Sequence, residues 1–188
     1  MMPVIPPDKE GFRRHIRELK SSYSSDALLL KSKSIISEVE SLPLFVKART
    51  ILVYHSLPDE VNTHDFLIRH STSKTLLLPT VNGDHLDLHI YDNSTRMKLG
   101  SYGIQEPIGS VFTSYSTIDL CIVPGMAFDE TLHRLGRGKG YYDRLLPLLS
   151  CKKIGLCFDF QYFSSIPFDS HDILMDMVVY DKSKSVKN

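Results

Sequence analysis

Apolar and polar positions change rhythm along this chain. Near the N-terminus they recur at helical spacing: Phe12, Ile16 and Leu19 share one stripe, and Lys9, Arg13, Arg17 and Lys20 share the neighbouring one. Asp8, after Pro6 and Pro7, is placed to cap that helix. The plain account of the cationic stripe is a solvated face. A second helix is predicted after Ser24-Ser25-Asp26, with Leu28, Ile35, Ile36 and Val39 turned inward. Beyond residue 50 the rhythm shortens. Runs at 50–55, 74–78, 118–123, 153–158 and 177–180 are β-branched or aromatic, and several are apolar on successive positions, as strands covered on both faces are. Short helices are predicted between them near 63–70 and 141–149. Such alternation predicts an α/β fold: three layers, αβα, around a Rossmann-like, mostly parallel sheet. One domain is expected over 1–180, followed by a polar tail at 181–188. Residues 86–91 alternate instead, which places them at a sheet edge or in a hairpin. Pro147 lies inside the last predicted helix, where proline costs roughly 3 kcal/mol, so that helix should begin late, end early or kink.

Composition narrows the function. The 188 residues are 42% hydrophobic and 23% charged, with a formal net charge of zero. A broad nucleic-acid or anionic-membrane surface needs a net basic face, so neither partner is expected. Cations can still be concentrated locally. Cys121, Cys151 and Cys157 form no even framework and no C-x-x-C pair, which suits a reducing compartment without structural zinc. No apolar run approaches the ~20 residues of a spanning helix, and the N-terminus lacks a signal-peptide pattern. A cytoplasmic, soluble protein is expected. His85 and His89 can share a face, but zinc needs three or four ligands and no partner acid or thiol is evident. No Ser-His-Asp or Cys-His arrangement stands out.

The chemistry concentrates in RLGRGKGYYDR, residues 134–144. It follows a buried-strand pattern ending at Val123 and the turn Pro124-Gly125, and strand ends of an open α/β sheet are where ligands bind. Gly136, Gly138 and Gly140 allow positive φ and let backbone N–H groups converge on phosphate oxygens. A helix start after them adds free N–H groups and the positive end of a dipole. Arg134, Arg137, Lys139 and Arg144 supply charge, and Asp143 is a carboxylate suited to magnesium beside phosphates. The spacing is neither G-x-x-x-x-G-K-[ST] nor G-x-G-x-x-G.

FDETLHRLGRGKGYYDRLL, residues 128–146, resembles the signature of the 5-formyltetrahydrofolate cyclo-ligase family, F-D-x-x-G-x-R-L-G-x-G-x-G-Y-Y-D-R. The resemblance continues in chain order through Lys9-x-x-x-Arg13, the block from Tyr54 to Thr63, Lys74 to Pro79, and YGIQEP at 102–107. It implies ATP- and Mg2+-dependent closure of 5-formyltetrahydrofolate to 5,10-methenyltetrahydrofolate through a phosphorylated formyl group, an iminium phosphate. By resemblance, Lys9 and Arg13 contact ATP phosphates, and Arg134, Leu135, Gly136, Arg137, Gly138, Lys139, Gly140, Tyr141 and Tyr142 cradle ATP. Lys139 and Arg144 are the implied catalytic cations. His55, Glu60, Gly138, Lys139, Gly140 and Tyr141 line the reduced folate, with or without further glutamates, and Glu60 meets the pterin. Asp143 and Asp172 hold magnesium. Arg17 and Lys20 stay with the solvated face. A non-catalytic nucleotide- or folate-binding protein on the same fold is the alternative, as is an ATP-dependent kinase or ligase acting on another small acid. Leu132 stands where the signature has glycine, and if that turn demands positive φ, leucine costs of order 1 kcal/mol. Asn62 replaces the aspartate of the E-V-D-T block, a milder change.

Overall fold

The computed structural model describes residues 8–100, 103, 105–170 and 172–182. Pro6 and Pro7, Tyr102 and Ile104 of the YGIQEP block, and tail residues 183–188 lie outside the described residues. Helix α1 spans Lys9–Ser21, and the Asp8 carboxylate caps it by accepting from the N–H groups of Glu10 and Gly11. Ser24 caps α2, Ser25–Ser41, whose Leu28, Ile35, Ile36 and Val39 are all buried. A short helix that the pattern did not announce, α3, covers Pro43–Lys47 and uses proline in its first turn, where the missing N–H does no harm. Strand β1, Thr50–Leu52, and helix α4, His64–His70, follow.

The hairpin of β2, Thr75–Asn82, and β3, His85–Tyr91, comes next, then a small ribbon of β4, Met97–Leu99, and β5, Gln105–Pro107. Strand β6 spans Leu120–Pro124, β7 Ala127–Asp129 and β8 Arg134–Leu135. Helix α5, Tyr141–Leu145, ends before Pro147, and a 3-10 turn covers Leu146–Leu148. Strands β9, Lys152–Cys157, β10, Tyr162–Phe163, and β11, Met177–Tyr180, complete the chain.

Six strands form the central sheet in the order β11-β9-β6-β1-β2-β3. All neighbours are parallel except β2–β3, so the alternating segment is the antiparallel edge. The successive apolar residues of its strands divide between two cores. Ile51, Leu76, Leu78, Ile122 and Ile154 face α2, α3 and α4. Leu52, Leu77, Cys121, Val123 and Cys157 face α5 and the turn after it. That is the expected three-layer αβα arrangement.

A second sheet, in the order β10-β7-β8, packs under α1 through Phe12, Ile16, Met126 and Leu135. Strand β1 is shorter than the 50–55 run. Thr63 donates its hydroxyl to the Tyr54 carbonyl at 2.7 Å, and Ser56 and Thr63 exchange side-chain and backbone bonds. These bonds draw 54–56 off the ladder toward 63. Lys20 corrects the expectation of a solvated stripe: it is buried, 5% exposed, with its ammonium 3.1 Å from Asp59.

Candidate active site

The strand order reverses direction at β1, with β2 on one side and β6 on the other, and ligands of open α/β sheets bind outside such a reversal. A cavity of about 460 Å³ opens there. One wall is apolar: Tyr54 and Leu57 from the chain leaving β1, Pro79 and Val81 from β2, and Leu86 from β3. The opposite wall is residues 136–140 with Tyr141 and Tyr142.

The loop wall is shaped from below. Asp129, fully buried at the end of β7, accepts from Thr131 N, Thr131 Oγ1 and His133 N with one oxygen and from Ile166 N with the other, at 2.7–3.1 Å. The turn it organises carries Leu132 at φ 69°, the left-handed conformation a glycine would take without strain. The Leu132 carbonyl accepts from Met175 N and its N–H donates to the Asp129 carbonyl, so the turn imposes the angle despite the side chain. Leu132 also packs half-buried against the α5-side core. Leu132→Gly therefore exchanges relief of about 1 kcal/mol of strain for a similar loss of packing, and its melting midpoint should stay within about 4 °C of wild type. Leu132→Val, β-branched in the same conformation, should melt several degrees lower; equal midpoints for the two variants would show that the angle carries no strain.

From β8 onward the cradle matches the anion-binding pattern in part. Gly138 and Gly140 take positive φ, 99° and 70°. A Cβ on Gly138 would lie 3.3 Å from the Arg13 guanidinium carbon. Among the described residues, the N–H groups of residues 136–140 donate to no protein acceptor. The expected helix dipole is weak, because Pro147 limits α5 to Tyr141–Leu145. Among the described residues, the loop amides rather than the short helix are therefore the larger set of unpaired donors on this wall.

The cations differ in what they already hold. Arg134 is buried; it donates to the Pro124 carbonyl at 3.3 Å and to Asp143, and lies over the Tyr142 ring. Arg137 donates to Asp59 at 2.6 Å and Glu60 at 3.0 Å. Burial opposes its charge, but Glu60 and Asp59 outweigh burial and raise its pKa. Lys139 lines the cavity, and its ammonium pairs with no carboxylate among the described residues. Arg144 donates to the carbonyls of Asp84 and Lys139, which braces the loop from outside the cavity lining. The Leu135 side chain is buried with Phe12 and Ile16, so only its backbone can meet a ligand.

On the opposite wall, Glu60 lines the cavity with one oxygen on Arg137 and the other accepting from Leu57 N at 3.0 Å. His55 also lines it, with its ring 4.1 Å from that of His64. Burial, then His64, lowers the His55 pKa to about 4, so it stands neutral at pH 7. Tyr142 serves core and cavity together: it packs against the α5-side core and lines the pocket, with its hydroxyl buried and without a partner among the described residues.

Lys9 and Arg13 lie one turn apart on α1, outside the cavity lining. Arg13 donates to the Gly136 carbonyl at 2.8 Å, which ties α1 to the cradle. Lys9 is bound to Asp169 and Asp172 at 2.7 and 2.6 Å. Burial opposes its charge and these bonds outweigh it, raising its pKa. Asp143 is on the cavity wall, whereas Asp172 sits with Lys9 and is not part of the lining. Among the described residues no cluster of three or more acids, histidines or cysteines could cage a metal. Magnesium carried on substrate phosphates needs only one or two carboxylates, and Asp143 fits that demand. His85 and His89 sit on the edge strand β3.

Pattern reasoning missed four residues at this site. Lys20 and Asp59 flank Arg137, and Glu106, buried, lines the cavity while accepting from Val81 N at 3.2 Å. Asp129 shapes the turn. Glu106 and Asp129 both stand inside the family-like blocks, which was the signal available for them.

An amide-and-cation wall faces an apolar wall that ends in carboxylates, at the reversal of a mostly parallel sheet, so the class is an α/β protein with a cavity of two unlike walls at its switch point. Residues 6–181 match the pattern of the 5-formyltetrahydrofolate cyclo-ligase family, and the chain belongs to that family. It is 28% identical to the mouse 5-formyltetrahydrofolate cyclo-ligase over 192 residues, 93% of this chain and 94% of that protein. It is 29% identical to a probable 5-formyltetrahydrofolate cyclo-ligase of Schizosaccharomyces pombe over 169 residues, 79% of this chain and 83% of that one. The solution structure of 5,10-methenyltetrahydrofolate synthetase from Aquifex aeolicus matches with a TM-score of 0.84 at 33% identity, covering 93% of this chain and 90% of that one.

Proposed function

We propose that this chain closes 5-formyltetrahydrofolate to 5,10-methenyltetrahydrofolate at the expense of ATP, with magnesium carried on the nucleotide. The observation that carries it is the run 136–140, which includes Lys139, whose amides donate to no protein acceptor among the described residues and which faces Glu60 on the opposite wall. The amides and the ammonium suit phosphate oxygens. A carboxylate on an apolar wall suits the paired N–H donors at the edge of a reduced pterin.

The chemistry needs little beyond positioning and charge neutralisation. A formamide is a poor electrophile. Transfer of the γ-phosphoryl group to the formyl oxygen gives an iminium phosphate and ADP. The neighbouring aniline nitrogen then attacks the formyl carbon, its N–H proton leaves, and the C–O bond to phosphate breaks. The products are the methenyl cation, ADP and inorganic phosphate. Lys139 neutralises charge gathering on the transferred phosphoryl oxygens, and the loop amides hold the same oxygens in place. Arg144 fixes the Lys139 carbonyl and so positions Lys139. Asp143 would hold magnesium, which when bound supplies further charge neutralisation at the phosphates. His55, uncharged, leaves the pterin side without a second cation.

Leu132 opened the alternative of a non-catalytic binder. It adopts the conformation of the glycine it replaces, so the departure gives that alternative no support. Incubation with ATP, magnesium and 5-formyltetrahydrofolate should raise the near-ultraviolet absorbance of methenyltetrahydrofolate, with no rise when ATP is omitted. ATP binding without any absorbance rise would favour the binder.

A further inference from the structure

Lys20 is the unexpected charge in this molecule. It belongs to the stripe of α1 that should face solvent, yet its side chain is 4% exposed and its ammonium bonds to Asp59 Oδ2 at 3.1 Å. The other Asp59 oxygen accepts from Arg137 at 2.6 Å, and Arg137 reaches Glu60 with its Nε. Four groups from three parts of the chain thus form one neutral chain of charges: Lys20, Asp59, Arg137 and Glu60. Two of them, Arg137 and Glu60, line the cavity on opposite walls, so Arg137 links the two walls across it.

We propose that Lys20 is a positioning residue for the nucleotide: by sharing Asp59 with Arg137, it weakens the hold of the carboxylates on Arg137 and leaves that guanidinium available to a triphosphate. This rests on the proposed ATP-dependent activity. Arg137 has two carboxylate partners, and a phosphate chain must compete with both. Lys20 draws off part of the Asp59 charge from below. It also keeps the quartet neutral, so the mouth does not repel an anion. Without Lys20, Asp59 and Glu60 both face Arg137 alone and the group carries net negative charge. Burial costs Lys20 part of its proton affinity and lowers its pKa despite the pull of Asp59. A lysine serving structure alone has no need of such a place, since an apolar residue of equal length would pack there at no such cost. The charged and titratable groups around Lys20 are Asp59 and Glu60 from the loop after β1, Arg137 from the cradle and Cys157 from β9, whose thiol burial keeps protonated.

The test is calorimetric binding of a non-hydrolysable ATP analogue with magnesium to the full chain. Lys20→Met should raise its Kd about tenfold while the melting midpoint moves by less than about 4 °C. In an Asp59→Asn background the same Lys20→Met change should have no effect on Kd, because Lys20 acts through Asp59. In the wild type, Kd should rise as alkaline pH discharges Lys20, below the pH at which an ordinary lysine titrates, and in Lys20→Arg it should not. That comparison decides the matter if Lys20→Met does not fold. An unchanged Kd in Lys20→Met, an equal loss with and without Asp59, or the same alkaline rise in Lys20→Arg overturns the proposal. A wild-type chain that does not bind the analogue removes it together with the proposed activity.

Discussion

Lys139→Ala should lower kcat for ring closure roughly a hundred- to a thousandfold, the effect of removing one preorganised charge from a developing oxyanion, and leave the melting midpoint unchanged. The two halves of that expectation come from the same geometry. Lys139 lines the cavity and its ammonium pairs with no carboxylate among the described residues, so its loss strands no partner. Arg134 and Arg137 are different. Removing Arg134 leaves Asp143 without its cation, and removing Arg137 leaves Glu60 without its cation and Asp59 with Lys20 alone, among the described residues, and a stranded charge disturbs the fold as well as the chemistry. Steady-state kinetics with ATP varied separates the roles. A charge acting on the transferred phosphoryl group lowers kcat and kcat/KM together, whereas one that only gathers ATP raises KM and spares kcat. The second pattern, or wild-type kinetics, would take Lys139 away from the reacting phosphate. The loop should hold its shape in the variant, since Arg144 bonds the Lys139 carbonyl and not its side chain.

The residues that sequence pattern placed correctly are those whose environment is local or repetitive. Strands buried on both faces announce themselves by successive apolar residues, and Ile51 and Leu52 go to opposite cores as that pattern requires. Asp8 and Ser24 cap helices through bonds two or three residues long. The alternation of 86–91 fits an edge strand whose partner is the segment immediately before it in the chain.

What pattern could not place depends on contacts across the fold. Helical periodicity assigns Lys20 to a stripe but cannot show that the loop carrying Asp59 closes over it. The glycines and cations of 134–144 signal an anion site without showing which cations are committed: Arg134 to Asp143, Arg137 to Asp59 and Glu60, Lys9 to Asp169 and Asp172. Strands β7, β8 and β10, of two or three residues, are too short to carry a period. They exist because Asp129 and Phe163 supply bonds to the turn at 130–133.

That dependence makes Asp129→Ala the most damaging single change expected outside the main sheet. Asp129 is fully buried, and its carboxylate satisfies the N–H groups of Thr131, His133 and Ile166 and the Thr131 hydroxyl. Alanine leaves three backbone donors without that acceptor, and each buried donor left unsatisfied costs about 1–3 kcal/mol. With partial rescue by water at the more exposed Thr131, a total of about 3–5 kcal/mol is expected, or roughly 10 °C in melting midpoint for a chain of this size. Leu132 adds to the loss, because the turn that holds it at positive φ is the turn Asp129 builds. With that constraint gone, the backbone can relax toward negative φ and carry Arg134 and Leu135 away from β7, which breaks the β7–β8 pairing at Phe128 and Ala127. The cradle at 136–140 begins at the next residue. Binding of the ATP analogue should therefore weaken even below the melting transition, by at least tenfold. Asp129→Asn keeps one acceptor oxygen for Thr131 and His133 but turns an amide group toward the Ile166 N–H, so its loss should be about half as large. Thermal denaturation of the two variants, read beside analogue binding, checks the chain of causes. A stable Asp129→Ala protein with wild-type binding would mean that the turn is held by something other than this carboxylate.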